Sequence, residues 1–210
     1  MRPLRALVYD CDGVLFDSRR ANLAYYNQIL AELGERPVLE EETERALLCH
    51  TGSTPQVLRH LLGSERAAEG LRVAAQVDYR PFLAWMTPEP GLLVSLRQLV
   101  GRLPLAIATN RQRTMGQILQ HFELTEFFRC VTTSSDVQRP KPFPDMLWHT
   151  AQLLGCALDE MLYVGDSLLD QQAAQAAGVP FVAYRWAGEG RRIEHHADLV
   201  GLVAQLCDGS

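Results

Sequence analysis

An α/β fold, a doubly wound parallel sheet with a small helical cap inserted after its first strand, follows from three observations on this 210-residue chain. A short apolar run, Leu4 to Tyr9, closes on Asp10-Cys11-Asp12-Gly13 and reads as a buried strand that stops at a sharp turn. From about Leu103 onward, strand-like and helix-like patterns alternate, as in a parallel sheet covered by helices on both faces. Between these two regions, from about Arg19 to Met86, strand character is lost and helical patterns follow one another.

In the helical block, Leu23, Tyr26, Leu30 and Leu33 recur at helical spacing and stop at Gly34. Thr54-Pro55 and Ser64 open further helices by supplying a cap, with Pro55 at the first helical position, where its missing N–H costs nothing. The block ends at Thr87-Pro88-Glu89-Pro90-Gly91, a stiff linker leading into a helix over Leu92 to Val100. The alternation then predicts strands at Leu103 to Ala108, Phe128 to Thr133, Met161 to Val164 and Pro180 to Tyr184. Helices are predicted at Met115 to Phe122, Met146 to Leu154 and Ser167 to Ala177. Because the first strand belongs to the same sheet, residues 1–17 and 87–210 are expected to form the α/β core and residues 18–86 the cap. Phe16 to Ser18 and Thr87 to Gly91 are then the hinge.

Composition narrows the function. A hydrophobic content of 47% with 21% charged residues is that of a soluble globular chain, long enough for one core domain and a satellite. A formal net charge of -5 supplies no basic footprint for nucleic acid, and no helix carries a cationic membrane-binding stripe. The five cysteines, Cys11, Cys49, Cys130, Cys156 and Cys207, are odd in number and lack CxxC spacing, which disfavours a disulfide framework and a structural zinc site. The apolar stretch near the N-terminus is too short for a signal peptide, and no segment reaches membrane-spanning length. A cytoplasmic monomer or homodimer is expected.

The chemistry concentrates at strand ends. Side chains alternate along a strand, so Asp10 and Asp12 should project to one side of the turn while Cys11 points away. Two carboxylates in one small volume are unfavourable unless a cation lies between them or one is protonated, although the pair alone could be an ordinary strand stop. Of the 20 lysine and arginine residues only Lys141 is lysine. It sits between Pro140 and Pro142 in a stiff loop, where a compact ammonium can enter a tight anionic pocket that a guanidinium cannot. Thr109-Asn110 and Gly165-Asp166-Ser167-Leu168-Leu169-Asp170 follow two further strands, and parallel strands present all these ends at one edge of the sheet. Thr109-Asn110 could instead merely cap a helix, and Asp170 could be a first-turn acid facing the helix dipole. Arg111 and Arg113 are read as solvated helix-surface residues, with phosphate steering the alternative.

In order and spacing, Asp10-Cys11-Asp12-Gly13, Thr109-Asn110, Lys141 and Gly165 to Asp170 resemble the four motifs of the haloacid dehalogenase-like superfamily, and most nearly its phosphoglycolate phosphatase and β-phosphoglucomutase branch. The resemblance implies a Rossmann-like core and a magnesium-dependent phosphatase acting on a small phosphorylated metabolite. Asp10 would be the nucleophile, forming an aspartyl phosphate. Asp12 would be the general acid and base, protonated when substrate arrives. Magnesium would be held by Asp10, the backbone carbonyl of Asp12 and Asp166, with Asp170 a further ligand or an orienting group. Lys141 would pair with Asp10 and the phosphoryl oxygens, and Thr109 with the backbone amides near Asn110 and Gly13 would hold the remaining oxygens.

Departures from the family narrow the reaction. Dehalogenating relatives lack the second acid, which is present here as Asp12. Phosphonate-cleaving relatives need a cap lysine, and residues 18–86 contain none. The β-phosphoglucomutase-like enzymes carry a cap lysine and a histidine where this chain has Asn22. Phosphate monoester hydrolysis, with phosphoglycolate-like specificity, remains; the alternatives are β-phosphoglucomutase-like transfer and a non-catalytic binding module on the same fold. Cys49 to Thr54 reads as a polar specificity loop between two cap helices, with His50 and Arg45 facing the leaving group, and a solvent-facing loop is the alternative.

Overall fold

The computed structural model describes residues 3–112 and 114–208, so Arg113 lies outside the described residues. Six strands form one sheet in which every pairing is parallel: β1 (Ala6–Tyr9), β4 (Leu105–Thr109), β5 (Cys130–Thr133), β6 (Met161–Gly165), β7 (Phe181–Tyr184) and β8 (Arg191–Ile193). Their spatial order is β5-β4-β1-β6-β7-β8. The chain therefore winds outward from β1 in one direction and then returns to wind outward in the other, opening a crevice beyond the carboxyl end of β1.

Alternation along the strands sorts the core into two layers. Leu7 and Tyr9 pack with Leu105, Ile107, Leu162 and Val164 on one face, joined by side chains from α4 (Leu92–Leu99), α5 (Thr114–His121) and α8 (His196–Asp208). Ala6 and Val8 pack with Ala106, Ala108, Met161 and Tyr163 on the other, against α6 (Asp145–Leu154) and α7 (Leu168–Ala177). The second face is rich in alanine, which lets α7 approach closely through Ala173, Ala174 and Ala177. Every residue of β1 is buried, so the strand is apolar without interruption until Asp10.

The insertion lies between two short strands, β2 (Phe16–Asp17) and β3 (Thr87–Pro88), which pair antiparallel. The two expected hinge segments thus meet in a small ribbon where the chain leaves and re-enters the sheet layer. Three helices follow β2: α1 (Arg19–Glu32), α2 (Thr43–Thr51) and α3 (Thr54–Ala74), then a 3-10 turn over Arg80–Trp85. The buried stripe of α1 is Ala21, Asn22, Tyr25, Tyr26, Ile29 and Leu30, so Leu23 and Leu33 lie at its half-buried margins. Ser53 N–H donates to Gln56 Oε1 at 2.9 Å at the start of α3, as expected of a capped entry followed by Pro55. The helix is broken at Gly63, whose φ of 79° no helical residue adopts, and resumes at the expected Ser64 start. Cys49, His50 and Thr51 are the last turn of α2 rather than loop, leaving Gly52 and Ser53 to make the connection. Among the described residues no helix is long and apolar enough to cross a membrane.

Candidate active site

Asp10 follows β1 directly, and its backbone N–H still donates to Val164 of the neighbouring β6 at 2.9 Å. The carboxylate therefore leaves the sheet at a fixed point. Lys141 Nζ lies 2.8 Å from Asp10 Oδ1 and 2.6 Å from Asp170 Oδ1. The ammonium also donates to Tyr163 Oη at 3.0 Å and reaches the Ala108 carbonyl at 3.4 Å. Burial works against its charge, but the two carboxylates outweigh burial and hold its pKa above the ordinary lysine value. The ammonium is thus wedged between two acids that favour its charged form.

Asp170 serves two structural ends. Its Oδ1 takes Lys141 and the Tyr163 hydroxyl at 2.7 Å, and its Oδ2 accepts from Ser167 N–H at 3.1 Å and from the Ser167 hydroxyl. It closes a capping box at the start of α7 and braces Lys141 at the same time, so the helix-terminus reading of this residue is realised. Both of its oxygens are hydrogen-bonded and the side chain is fully buried.

One oxygen each from Asp10, Asp166 and Asp170 falls within 4.8 Å of the others. Burial, with repulsion from neighbouring carboxylates, raises the pKa of both Asp10 and Asp166, against the pull of Lys141. Three crowded acids facing one ammonium leave excess negative charge, and carboxylate oxygens suit a hard divalent cation. Gly13 permits the crowding: its φ is +76°, and a Cβ there would lie 1.8 Å from Asp166 Oδ2. Any side chain at position 13 would push Asp166 out of the cluster.

Asp12, two residues further along the same turn, borders the same cavity but has different partners. Its Oδ1 accepts from Arg111 Nη2 at 2.6 Å, from Asn22 Nδ2 at 3.0 Å and from the Ser18 hydroxyl. Burial raises its pKa, but the Arg111 and His50 charges and these hydrogen bonds prevail, and the carboxyl lies below its ordinary value. Contact with Arg111 therefore favours its ionised form in the substrate-free protein, whereas the role expected of Asp12 needs a proton there when substrate arrives. Arg111 is also the residue that sequence reasoning discounted. It is 8% exposed, not solvated, because the cap lies over it: Nη2 donates to Asn22 Oδ1 at 2.7 Å and Tyr79 Oη at 3.1 Å, and the guanidinium stacks 5.0 Å from the Tyr79 ring centre.

The remaining candidates are distributed as follows. Thr109 is buried, its hydroxyl accepting from Arg111 N–H at 3.3 Å. Asn110 works through its side chain as a tie: Oδ1 accepts from Lys141 N–H at 3.0 Å, and Nδ2 donates to the Thr51 carbonyl of the cap at 3.1 Å. His50 Nε2 approaches Asp166 Oδ2 to 3.9 Å, so α2 aims this residue at the acidic cluster. Arg45, by contrast, is paired with Glu42 at 2.8 Å on the cap. Tyr163, Ser18 and Tyr79 were not anticipated. Tyr163 carried a sequence signal, since it precedes Val164-Gly165-Asp166 on the strand that delivers the acids, whereas Tyr79 is brought in only by the folding of the cap.

Asp10, Asp12, Asn22, His50, Tyr79 and Arg111 share the wall of a cavity of about 480 Å³, a volume suited to a small metabolite. Its floor comes from the sheet edge and its roof from the insertion. Residues 7–184 match the family model described as haloacid dehalogenase-like hydrolase. The chain belongs to this family. Among haloacid dehalogenase-like hydrolases it is 30% identical to a phosphoglycolate phosphatase of Pseudomonas savastanoi pv. phaseolicola over 98% of this chain and 79% of that protein. It is 31% identical to the phosphoglycolate phosphatase of Rhodobacter capsulatus, over 85% and 83%. A subfamily IA hydrolase of the same superfamily from Geobacter sulfurreducens superposes with a TM-score of 0.84 at 37% identity, covering 95% of this chain and 99% of that one. The CbbY protein of Rhodobacter sphaeroides, solved with xylulose-1,5-bisphosphate, shares the fold at 23% identity with a TM-score of 0.76, over 93% and 96%.

Proposed function

We propose that this hydrolase is a magnesium-dependent phosphatase of small phosphate monoesters, phosphoglycolate phosphatase-like, working through an aspartyl phosphate on Asp10. The reading is carried by one observation: a strand-end carboxylate, Asp10, held 2.8 Å from a buried lysine at the floor of a roofed cavity, with a second acid two residues later. Magnesium would be held by Asp10, the Asp12 carbonyl and Asp166, with Asp170 alongside; when bound it offsets the charge of a phosphate dianion approaching three acids.

The chain's own groups account for the rest. Lys141 neutralises and orients Asp10 for in-line approach to phosphorus, and Asp170 with Tyr163 keeps the ammonium from swinging away. The Gly13 N–H, expected to hold a phosphoryl oxygen, instead donates to the Phe16 carbonyl at 2.8 Å, because the turn closes on itself; Gly13 serves by leaving room for Asp166, and Thr109 borders the cavity. Asp12 takes up a proton from solvent as substrate arrives, delivers it to the leaving oxygen and, once the alcohol has departed, takes one from the water that attacks the aspartyl phosphate. The cap, residues 18–86, excludes bulk water while His50, Asn22 and Tyr79 surround the leaving group. Opening at the β2–β3 ribbon then releases product.

The test is phosphate release from a panel of small phosphate esters, with and without magnesium. Turnover is expected only with the metal, and at least about 100-fold slower in Asp12→Ala. Release that is indifferent to chelation, or full turnover without Asp12, would overturn the reading. His50→Ala is expected to change the ranking of the esters more than the turnover of the best one.

A further inference from the structure

Arg111 is the one arginine or lysine among the described residues lining the cavity. Its hydrogen bonds are unevenly spread. Nη2 meets Asp12, Asn22 and Tyr79 at once, and Nη1 reaches only Thr114 Oγ1 at 3.3 Å. Nε, although buried, has no partner at all. A guanidinium is a rigid fork whose Nε and terminal nitrogens are suited to the two oxygens of one oxyanion, and a buried donor without an acceptor is costly to keep. An arginine retained only to pair with Asp12 needs neither the spare donor nor a place on the cavity wall.

Its position relative to the chemistry is also informative. The guanidinium touches Asp12, and in the phosphatase reading Asp12 must come within hydrogen-bond distance of the ester oxygen. A substituent one carbon beyond that oxygen therefore arrives beside Arg111. In the free protein one carboxylate oxygen, Asp12 Oδ1, already sits on Nη2 and leaves Nε open, with Asn22 and Tyr79 completing the surroundings.

Resting on the phosphatase reading, we propose that Arg111 is the specificity-determining residue of this site, exchanging its contact with Asp12 for a carboxylate carried on the leaving group one carbon from the ester oxygen. The substrate carboxylate takes the Nε edge and Nη2, the Asp12 oxygen is released to turn toward the ester oxygen, and the stack on Tyr79 keeps the guanidinium in place during the exchange. A neutral leaving group leaves Arg111 on Asp12 and gains nothing from the fork, so discrimination appears in kcat as well as KM.

The experiment compares phosphoglycolate, its neutral counterpart hydroxyethyl phosphate, and ethanediol bisphosphate, in wild type, Arg111→Met and Arg111→Lys, with folding followed by thermal melting. Wild type is expected to favour phosphoglycolate over hydroxyethyl phosphate by about 100-fold in kcat/KM. Arg111→Met should erase most of that ratio by losing far more on the anionic ester than on the neutral one, and Arg111→Lys should restore part of it. Glycolate should inhibit wild type competitively where ethanediol does not, a measurement that needs no variant. Equal losses on both esters, or no preference and no inhibition by glycolate in wild type, would overturn the inference while leaving the phosphatase intact. A bisphosphate preferred over phosphoglycolate would overturn it in favour of a phosphate at Arg111. Absence of hydrolysis from every ester in the presence of magnesium would remove the phosphatase reading and this inference with it.

Discussion

Asp10→Asn is expected to lower kcat by on the order of 10⁴-fold while leaving the protein folded. The amide cannot attack phosphorus, and no other carboxylate occupies the end of β1: Asp12 is turned to Arg111, and Asp170 is enclosed by Lys141, Tyr163 and Ser167. Stability should not suffer, because the substitution is nearly isosteric and removes one of three crowded acids, and burial already opposes the ionisation of Asp10 and Asp166. Lys141 keeps its pairing with Asp170 at 2.6 Å. Metal-free protein should therefore melt at or above the wild-type temperature, and phosphate release should be undetectable beside it. Unfolding of the variant, or turnover within about tenfold of wild type, would show that Asp10 is chiefly a structural acid.

Lys141→Met should harm both stability and turnover. The ammonium is 2% exposed at residue level and stands between Asp10 and Asp170. Removing it leaves two buried carboxylates without their cation, a change that costs about 3–5 kcal/mol when one partner of a buried pair is lost. Denaturant unfolding at neutral pH measures this directly. Lys141→Arg separates charge from shape. The guanidinium keeps the charge, but the space bounded by Ala108, Tyr163 and Asp170 is filled by a compact ammonium, so the fork must displace Asp10 or Asp170. Its stability should exceed that of Lys141→Met, with turnover still at least about 100-fold below wild type. Wild-type turnover in Lys141→Arg would mean that charge alone suffices there.

The parallel sheet was legible because its strands are short apolar runs, each ended by a turn, and because both of its faces are covered. The strand ends were legible for the same reason: where an apolar run stops at a charged or polar residue, that residue must sit at the sheet edge. Asp10, Lys141 and Asp166 converge as the spacing implied. The last elements, β8 and α8, were not foreseen. Arg191 and Arg192 are exposed, so β8 has no apolar pattern to reveal it, and α8 follows with few residues between. The cap residues around Arg111 were invisible for a different reason. Asn22 and Tyr79 are 57 positions apart in sequence yet bonded at 2.8 Å, and only the closing of the insertion over β4 turns Arg111 from a surface position into a buried one. Pattern along a chain reports which face of an element is covered; it does not report which distant polar groups will meet beneath a lid.

The most direct measurement is to quench Asp12→Ala during reaction with its best ester and magnesium, and to locate the phosphoryl group by peptide mass. Without Asp12 to activate water, the second step should slow more than the first, so phosphate should accumulate on the peptide that contains Asp10 and be absent when Asp10 is also changed to asparagine. Continued release of phosphate by Asp12→Ala with no phosphorylated Asp10 peptide at any time would contradict a covalent mechanism at this site.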